Sequence, residues 1–287
     1  MSAAKTADVA VLVMGIDQSI EGESHDRSNI ELPGVQHDLV QAVLAVQPKT
    51  VVVFLNGGVV DISAEKASVP AILEAFYPGY HGARALADVL FGDYAPSGRL
   101  PFTVYHSNYT NEVNMSSMCM GCAPGRTYRY FDGPVVYPFG AGLSYTTFHM
   151  DWNPQPPSQL RLPAAVPSEN TAEAPSTAYT VKVTNTGAVD SDVSVLALWK
   201  PVSIEGEVFE AYPLKLELFA YQKVHVASKA TVDVHFNVDQ TSLRVVHPKT
   251  GDVTSAPGQY ELVFTTNTMA VAEMAGEHAA AEQLIEG

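Results

Sequence analysis

The sequence predicts an α/β domain with a mostly parallel sheet, followed by an all-β sandwich. Three observations predict it. Short, continuously apolar runs alternate with segments of helical period in the first half. A polar stretch at 151–177 then carries six prolines. Beyond it the period drops to 2, the spacing of half-buried strands.

Asp8 to Met14 is apolar after its first residue, as a strand covered on both faces should be. Leu32-Pro33-Gly34 opens a helix with Pro33 in its first turn, and Val35, Leu39, Val43 and Val46 recur at helical spacing until Pro48. Val51 to Leu55 reads as a second buried strand closed by Asn56-Gly57-Gly58, and Ala71 to Phe76 as a third. A helix over Gly82 to Phe91 presents Ala83, Leu86, Ala87 and Leu90 on one face. Parallel βαβ units with right-handed crossovers follow from this order. Leu100 to Val104 reads as an edge strand, because Pro101 cannot donate to a central ladder. Ser107 to Gly125 shows no period and reads as a long loop. Alternation returns at Tyr179–Val183, Val193–Val195, Leu214–Leu218, Val232–Phe236 and Tyr260–Phe264, with turns at Asn185-Thr186-Gly187, Thr250-Gly251 and Pro257-Gly258. The domain plan is therefore 1–150 α/β with a lead-in segment, 151–177 linker, 178–267 sandwich and 268–287 an Ala- and Glu-rich tail, read as a frayed helix.

Hydrophobic residues make up 46% of the 287 and charged ones 16%, the balance of a folded chain with a sizeable core. Thirty-one acidic against 16 basic residues give a formal net charge of -15, which argues against a nucleic-acid or anionic-membrane surface and suits a neutral substrate. No apolar run approaches the length of a membrane span, so the chain reads as soluble, and its first residues lack the pattern of a signal peptide. Cys119 and Cys122 lack the further ligands that zinc would need and read as a local disulfide or two free thiols. No metal and no cofactor is expected: there is no phosphate loop and no dinucleotide fingerprint. Asn108-Tyr-Thr and Asn114-Met-Ser are glycosylation acceptors in a secreted protein.

The chemistry concentrates in Glu21-Gly22-Glu23-Ser24-His25-Asp26-Arg27. This stretch follows the first strand, at the carboxyl edge where open α/β sheets place their sites. Glu21 and Glu23 are the candidates for proton transfer, one as the acid and the other as a neighbour that tunes or binds. Asp26 and Arg27 read as an ion pair that fixes the loop, and His25 and His81 as surface histidines.

Phe76-Tyr77-Pro78-Gly79-Tyr80-His81-Gly82 running through Ala87-Asp88-Val89-Leu90-Phe91-Gly92-Asp93 to Pro96-Ser97-Gly98-Arg99-Leu100-Pro101 resembles the hallmark of the C-terminal α/β domain of glycoside hydrolase family 3. Gly125 to Phe131 and Tyr137 to Phe148 resemble the segment leading into that family's fibronectin type III-like domain, which Val183 to Gly187 and Leu218 to Val224 resemble in turn. The resemblance implies retaining hydrolysis of β-linked sugars from the non-reducing end, without a cofactor. The acidic pair before Asp26-Arg27 and Leu32-Pro33-Gly34-Val35-Gln36 is similar to the β-xylosidases, with β-glucosidase and α-L-arabinofuranosidase as alternative specificities. The family's general acid/base, three residues before the aspartate, falls on Glu23, with Glu21 in reserve.

Family members begin with a (β/α)8 barrel that carries the aspartate nucleophile, and no counterpart of it lies in these residues. The resemblance therefore implies a C-terminal fragment of an exported enzyme, inactive alone, with apolar sheet faces left open. A retaining mechanism needs two carboxyl groups about 5 Å apart. A non-catalytic carbohydrate-binding or partner-docking module is the other class.

Overall fold

A computed structural model describes residues 1–155, 159–161, 176–204, 214–247, 250–255, 258–269 and 281–286. The chain forms two compact units. The first comprises Met1–Tyr94, Thr103–Ser117 and Gly133–Tyr137, and the second Ala95–Phe102, Met118–Asp132 and Pro138–Gly287.

In the first unit, α1 (Ser2–Thr6) precedes β1 (Ala10–Gly15), α2 (Gln36–Leu44), β2 (Thr50–Leu55), α3 (Ser63–Ser68), β3 (Ala71–Glu74) and α4 (Gly82–Phe91). The three strands make a parallel sheet in the order β1-β2-β3, with Leu12 beside Val52 and Val53 beside Leu73. Central β2 carries the unit's core: Val52, Val53 and Phe54 are buried, and α2 lies against β1 and β2 with Val40 and Val43 buried. Strand β1 departs from the two-sided burial expected of its run. Val9, Val11 and Val13 are about half exposed, because β1 is an edge and period 2 turns every second side chain to one face. Such an open apolar face was expected, on other grounds, for a sheet with uncovered faces.

Helix α2 begins at Gln36, not at Pro33, because Gly34 takes φ +66°, which turns the chain before the helix can propagate. Gln36 has a distinct task. Its side chain donates from Nε2 to the Gly15 carbonyl and accepts from the Gly15 amide, both at 2.8 Å, and so closes off the end of β1. The short helix α3, only weakly marked in the sequence, brings Glu65 to 1% exposure, where its Oε1 lies 2.8 Å from His37 Nδ1 on α2. Replacing His37 by Ala strips that carboxylate of its partner and is expected to cost about 1–3 kcal/mol. An unchanged urea midpoint would show that the pair contributes nothing.

The expected strand over Leu100 to Val104 is reduced to β4 (Val104–Tyr105), which pairs antiparallel with β5 (Val135–Tyr137) in the first unit. Pro101 has no amide to donate, and Leu100 bonds instead to Gly140 and Ala141 in the second unit. Within the long loop, α5 (Tyr109–Glu112) adds one turn to the first unit, and just after it α6 (Thr127–Tyr130) adds one to the second.

The second unit is a β-sandwich. One sheet has β6 (Phe148–Trp152), β8 (Thr177–Asn185) and β11 (Thr231–Val238) in the order β11-β8-β6. The other contains β7 (Gln159–Arg161), β9 (Ser191–Ile204), β10 (Glu217–Val226), β14 (Gly258–Thr265) and β15 (Ala281–Glu286), ordered β10-β9-β14-β15-β7. A separate hairpin pairs β12 (Arg244–Val246) with β13 (Val253–Ser255). Alternate residues Val181, Val183, Val234, Phe236, Trp199, Tyr260 and Phe264 fill the core. Strand β9 is buried on its second face too: Leu196 and Leu198 pack with Val263 beneath Tyr128 and Phe139, whose rings stack at 4.0 Å. Tyr128 and Tyr130 are thus packing residues, and Arg99 anchors to the Thr266 carbonyl.

Strand β6 crosses the boundary placed at 150, and most of the stretch read as a linker, 156–158 and 162–175, lies outside the described residues. The tail read as a frayed helix contributes a strand instead. The open edge of β14 gives Ala281–Glu286 a full ladder, whereas a short isolated helix has only its own bonds.

Candidate functional site

The site grows from the carboxyl ends of the three parallel strands of the first unit. After β1 the chain passes through Ile16 and Asp17, whose carboxylate caps Ser19 at 2.8 and 2.6 Å and is held below its usual range by those bonds. It then folds back at Gly22-Glu23-Ser24-His25. Gly22 and His25 exchange both backbone bonds, at 3.1 and 3.0 Å, and Ser24 takes φ +63°. This makes a two-residue hairpin with Glu23 and Ser24 at its tip.

The hairpin separates the two candidate carboxylates. Glu21, at its base, accepts from Arg27 Nε at 2.6 Å, and Arg27 Nη2 donates to the Val59 carbonyl at 2.8 Å. Arg27 is 9% exposed and Glu21 33%. Arg27 therefore pairs with Glu21 and not with Asp26, contrary to the sequence reading, because the hairpin brings its two legs together while Asp26 stays exposed. Glu23 is exposed, and among the described residues its carboxylate has no hydrogen bond or ion pair.

The turn after β2 seats this pair. A Cβ on Gly58 would stand 2.4 and 2.5 Å from the two Glu21 carboxylate oxygens and 2.8 Å from Arg27 Nη2, so any side chain here would push the pair from its seat. Asn56, 1% exposed, donates from Nδ2 to the Gly58 carbonyl at 3.1 Å and to Glu74 Oε2 at 3.4 Å. Tyr77 reaches across to the Ile16 carbonyl at 3.2 Å. Further along, Asp61 accepts from Ser107 N at 2.6 Å beside a polar cleft of about 300 Å³ lined in part by Ser28, Asn29 and Glu31.

Glu74 went unnoticed in the sequence because it lies inside the apolar run Ala71 to Phe76, whose strand in the structure stops at Glu74. The available signal was an ionisable residue at the carboxyl end of a parallel strand. Burial pushes its carboxyl up to about 7, against the opposing pull of bonds from the Phe76 amide and Asn56. The folded state thus keeps a proton that the unfolded chain, at the ordinary 4.5, has lost. Its contribution is full below about 4.5 and is lost as pH rises through about 7. Stability is expected to fall by about 2–3 kcal/mol between pH 5 and pH 8, and Glu74→Gln to remove that part of the slope. Denaturation midpoints at the two pH values check this; equal slopes in the two proteins would refute it.

Cys119 and Cys122 form a disulfide, which resolves the two alternatives left open for them. Among the described residues no cluster of three or more His, Cys, Asp or Glu is arranged to hold a metal, and no helix is long and apolar enough to cross a membrane. His25 and His81 are exposed, as read from the sequence.

Comparison with known proteins gives this geometry a context. Residues 1–145 match the family model of the glycosyl hydrolase family 3 C-terminal domain, and residues 211–267 that of the fibronectin type III-like domain. Beta-D-xylosidase 1 of Arabidopsis thaliana is 39% identical over 83% of this chain and 33% of its own length. A probable exo-1,4-beta-xylosidase of Neosartorya fischeri is 37% identical over 91% of this chain and 34% of its own. The chain thus spans about a third of the length of these curated relatives. Among solved structures, a GH3 exo-beta-xylosidase in complex with a xylobiose aziridine activity based probe superposes with a TM-score of 0.84 at 28% identity, covering 100% of this chain and 37% of that one. The GH3 beta-glucosidase of Bifidobacterium adolescentis gives 0.77 at 29%, covering 99% and 39%.

Proposed function

The chain belongs to glycoside hydrolase family 3, and from that premise we propose that it is the C-terminal part of a retaining, exo-acting β-xylosidase-like enzyme to which it supplies the general acid/base, Glu23. One observation carries the assignment of Glu23 over Glu21. The Glu23 carboxylate stands exposed and unengaged at a hairpin tip beyond a parallel strand, whereas the Glu21 carboxylate is held by Arg27 against Gly58.

A group that first protonates a leaving-group oxygen and then takes a proton from water must be free to meet both. Glu23 satisfies that condition. Glu21 serves as the anchor that sets where the tip stands. The names of the relatives support a β-linked xyloside as the substrate class. The same reading makes the chain inactive alone, since the nucleophile that completes a retaining pair is not among its residues, and makes the full-length enzyme an exported one.

The test is an assay of the chain on a chromogenic β-xyloside, alone and as part of the full-length enzyme. The chain alone is expected to give no turnover and the full-length enzyme to give turnover that depends on Glu23. Turnover by the chain alone that Glu23→Gln abolishes would overturn the division of labour. Binding of xylose or xylobiose by the chain, with no turnover that depends on Glu23 in the full-length enzyme, would favour a carbohydrate-binding module instead.

A further inference from the structure

We propose that Glu74 is a positioning residue for the Glu23 hairpin, acting through Asn56 on the turn that seats the Glu21–Arg27 pair. The proposal rests on the reading of Glu23 as the acid/base and names a residue that neither the family hallmark nor the hairpin itself includes.

The route is a chain of contacts. Glu74, the last residue of β3, accepts from Asn56 Nδ2, and the same nitrogen donates to the Gly58 carbonyl. Gly58 is the surface on which the Glu21 carboxylate rests, and the neighbouring Val59 carbonyl accepts from Arg27. From Glu21 the backbone leads in one residue to Gly22, and from Arg27 in two to His25, the pair that closes the hairpin.

What makes this a relay is that Asn56 has one amide group and two clients. With Glu74 ionised, Nδ2 serves both the carboxylate and Gly58, and Oδ1 is buried without a hydrogen bond. A protonated Glu74 instead offers an O–H that needs an acceptor, and the acceptor at hand is that same Oδ1. Bringing Oδ1 round turns Nδ2 away from both Gly58 and Glu74, so taking up one proton from solvent replaces the two bonds that Nδ2 donates by one bond from the Glu74 O–H to Oδ1, which relieves that buried oxygen. The turn then loses the tie that holds it under Glu21 and Arg27. Burial that favours the protonated carboxyl places this exchange near neutrality.

The groups around Glu74 are few. Asn56 faces it from the end of β2 and the Phe76 amide from its own loop, and no charged side chain contributes to its titration. Glu21 and Arg27, beyond the turn, are the nearest charged groups on the route.

The experiment is a titration of the isotope-labelled chain by NMR from pH 5 to 9. It follows the Glu74 side-chain carboxyl carbon, the Asn56 side-chain amide, the Gly58 amide and the Arg27 Nε–H. All four are expected to move with one midpoint near 7. Glu74→Gln is expected to abolish the transition at the other three while the spectrum stays dispersed. In Asn56→Ala, Glu74 should still titrate while Gly58 and Arg27 no longer follow. Transitions that persist in Glu74→Gln would overturn the proposal, as would a Glu74 titration in the unaltered chain that leaves Gly58 and Arg27 still. Should either variant fail to fold, the coincidence of midpoints in the unaltered chain decides alone. No turnover is measured, so an active Glu23→Gln enzyme would sink the acid/base reading and leave the relay intact, while a flat titration would do the reverse.

Discussion

In the full-length enzyme, exchanging Glu23 for Gln is expected to lower kcat/KM on an unactivated β-xyloside by about 10²- to 10⁴-fold, the usual worth of a positioned general acid or base. That corresponds to about 3–5 kcal/mol of transition-state stabilisation. Glutamine keeps the size and polarity of the side chain, and the Glu23 carboxylate makes no bond to the rest of the described residues, so the fold should be untouched. The loss should depend on the leaving group. A phenolate that departs without a proton needs little help in the first step, so the variant should retain more of that step and stall at the second, where a base must activate water. A small anionic nucleophile that needs no base should then restore turnover. Glu21→Gln is the control. It weakens the tie to Arg27 and should lower the rate by misplacing the tip, with no dependence on the leaving group. If Glu21→Gln shows the leaving-group dependence and Glu23→Gln does not, the roles are reversed.

Much of this was legible because the signals were local. The apolar run ending at Met14, the dense charges after it and the helix over Gly82 to Phe91 each follow from period and composition, and each appears where it was expected. The partner of Arg27 was not legible. Asp26 is adjacent in sequence, but the pairing is decided by the positive φ of Ser24 and the exchange of bonds between Gly22 and His25, which bring Glu21 alongside. Glu74 was hidden for a related reason. Its burial and its bond to Asn56 arise only when β2 and β3 lie side by side, a contact between residues 18 apart. The strand at Ala281–Glu286 likewise depends on an edge that β14 offers. Pairings across elements are set by packing, and no window of sequence contains them.

The same distinction explains why the largest stability effect is expected in the sandwich. Trp199 is fully buried in the long strand β9, its ring meets Tyr260 edge-on at 5.2 Å, and its Nε1 donates to the Ser242 carbonyl at 2.9 Å. Trp199→Ala removes the largest fully buried side chain of the described residues and leaves that carbonyl without its donor. Emptying such a site costs about 3–5 kcal/mol, and the lost bond about 1 more. Against the few kcal/mol that hold a domain of this size, that is enough to unfold the sandwich or to lower its Tm by about 15 °C or more. Trp199→Phe separates the two contributions, since it keeps most of the ring and loses the N–H. Its cost should fall to about 1–2 kcal/mol. The first unit offers an internal reference: its core is built on β2, so the two units should melt apart in Trp199→Ala if they fold independently, and a single unshifted transition would show that Trp199 is not a keystone of the sandwich.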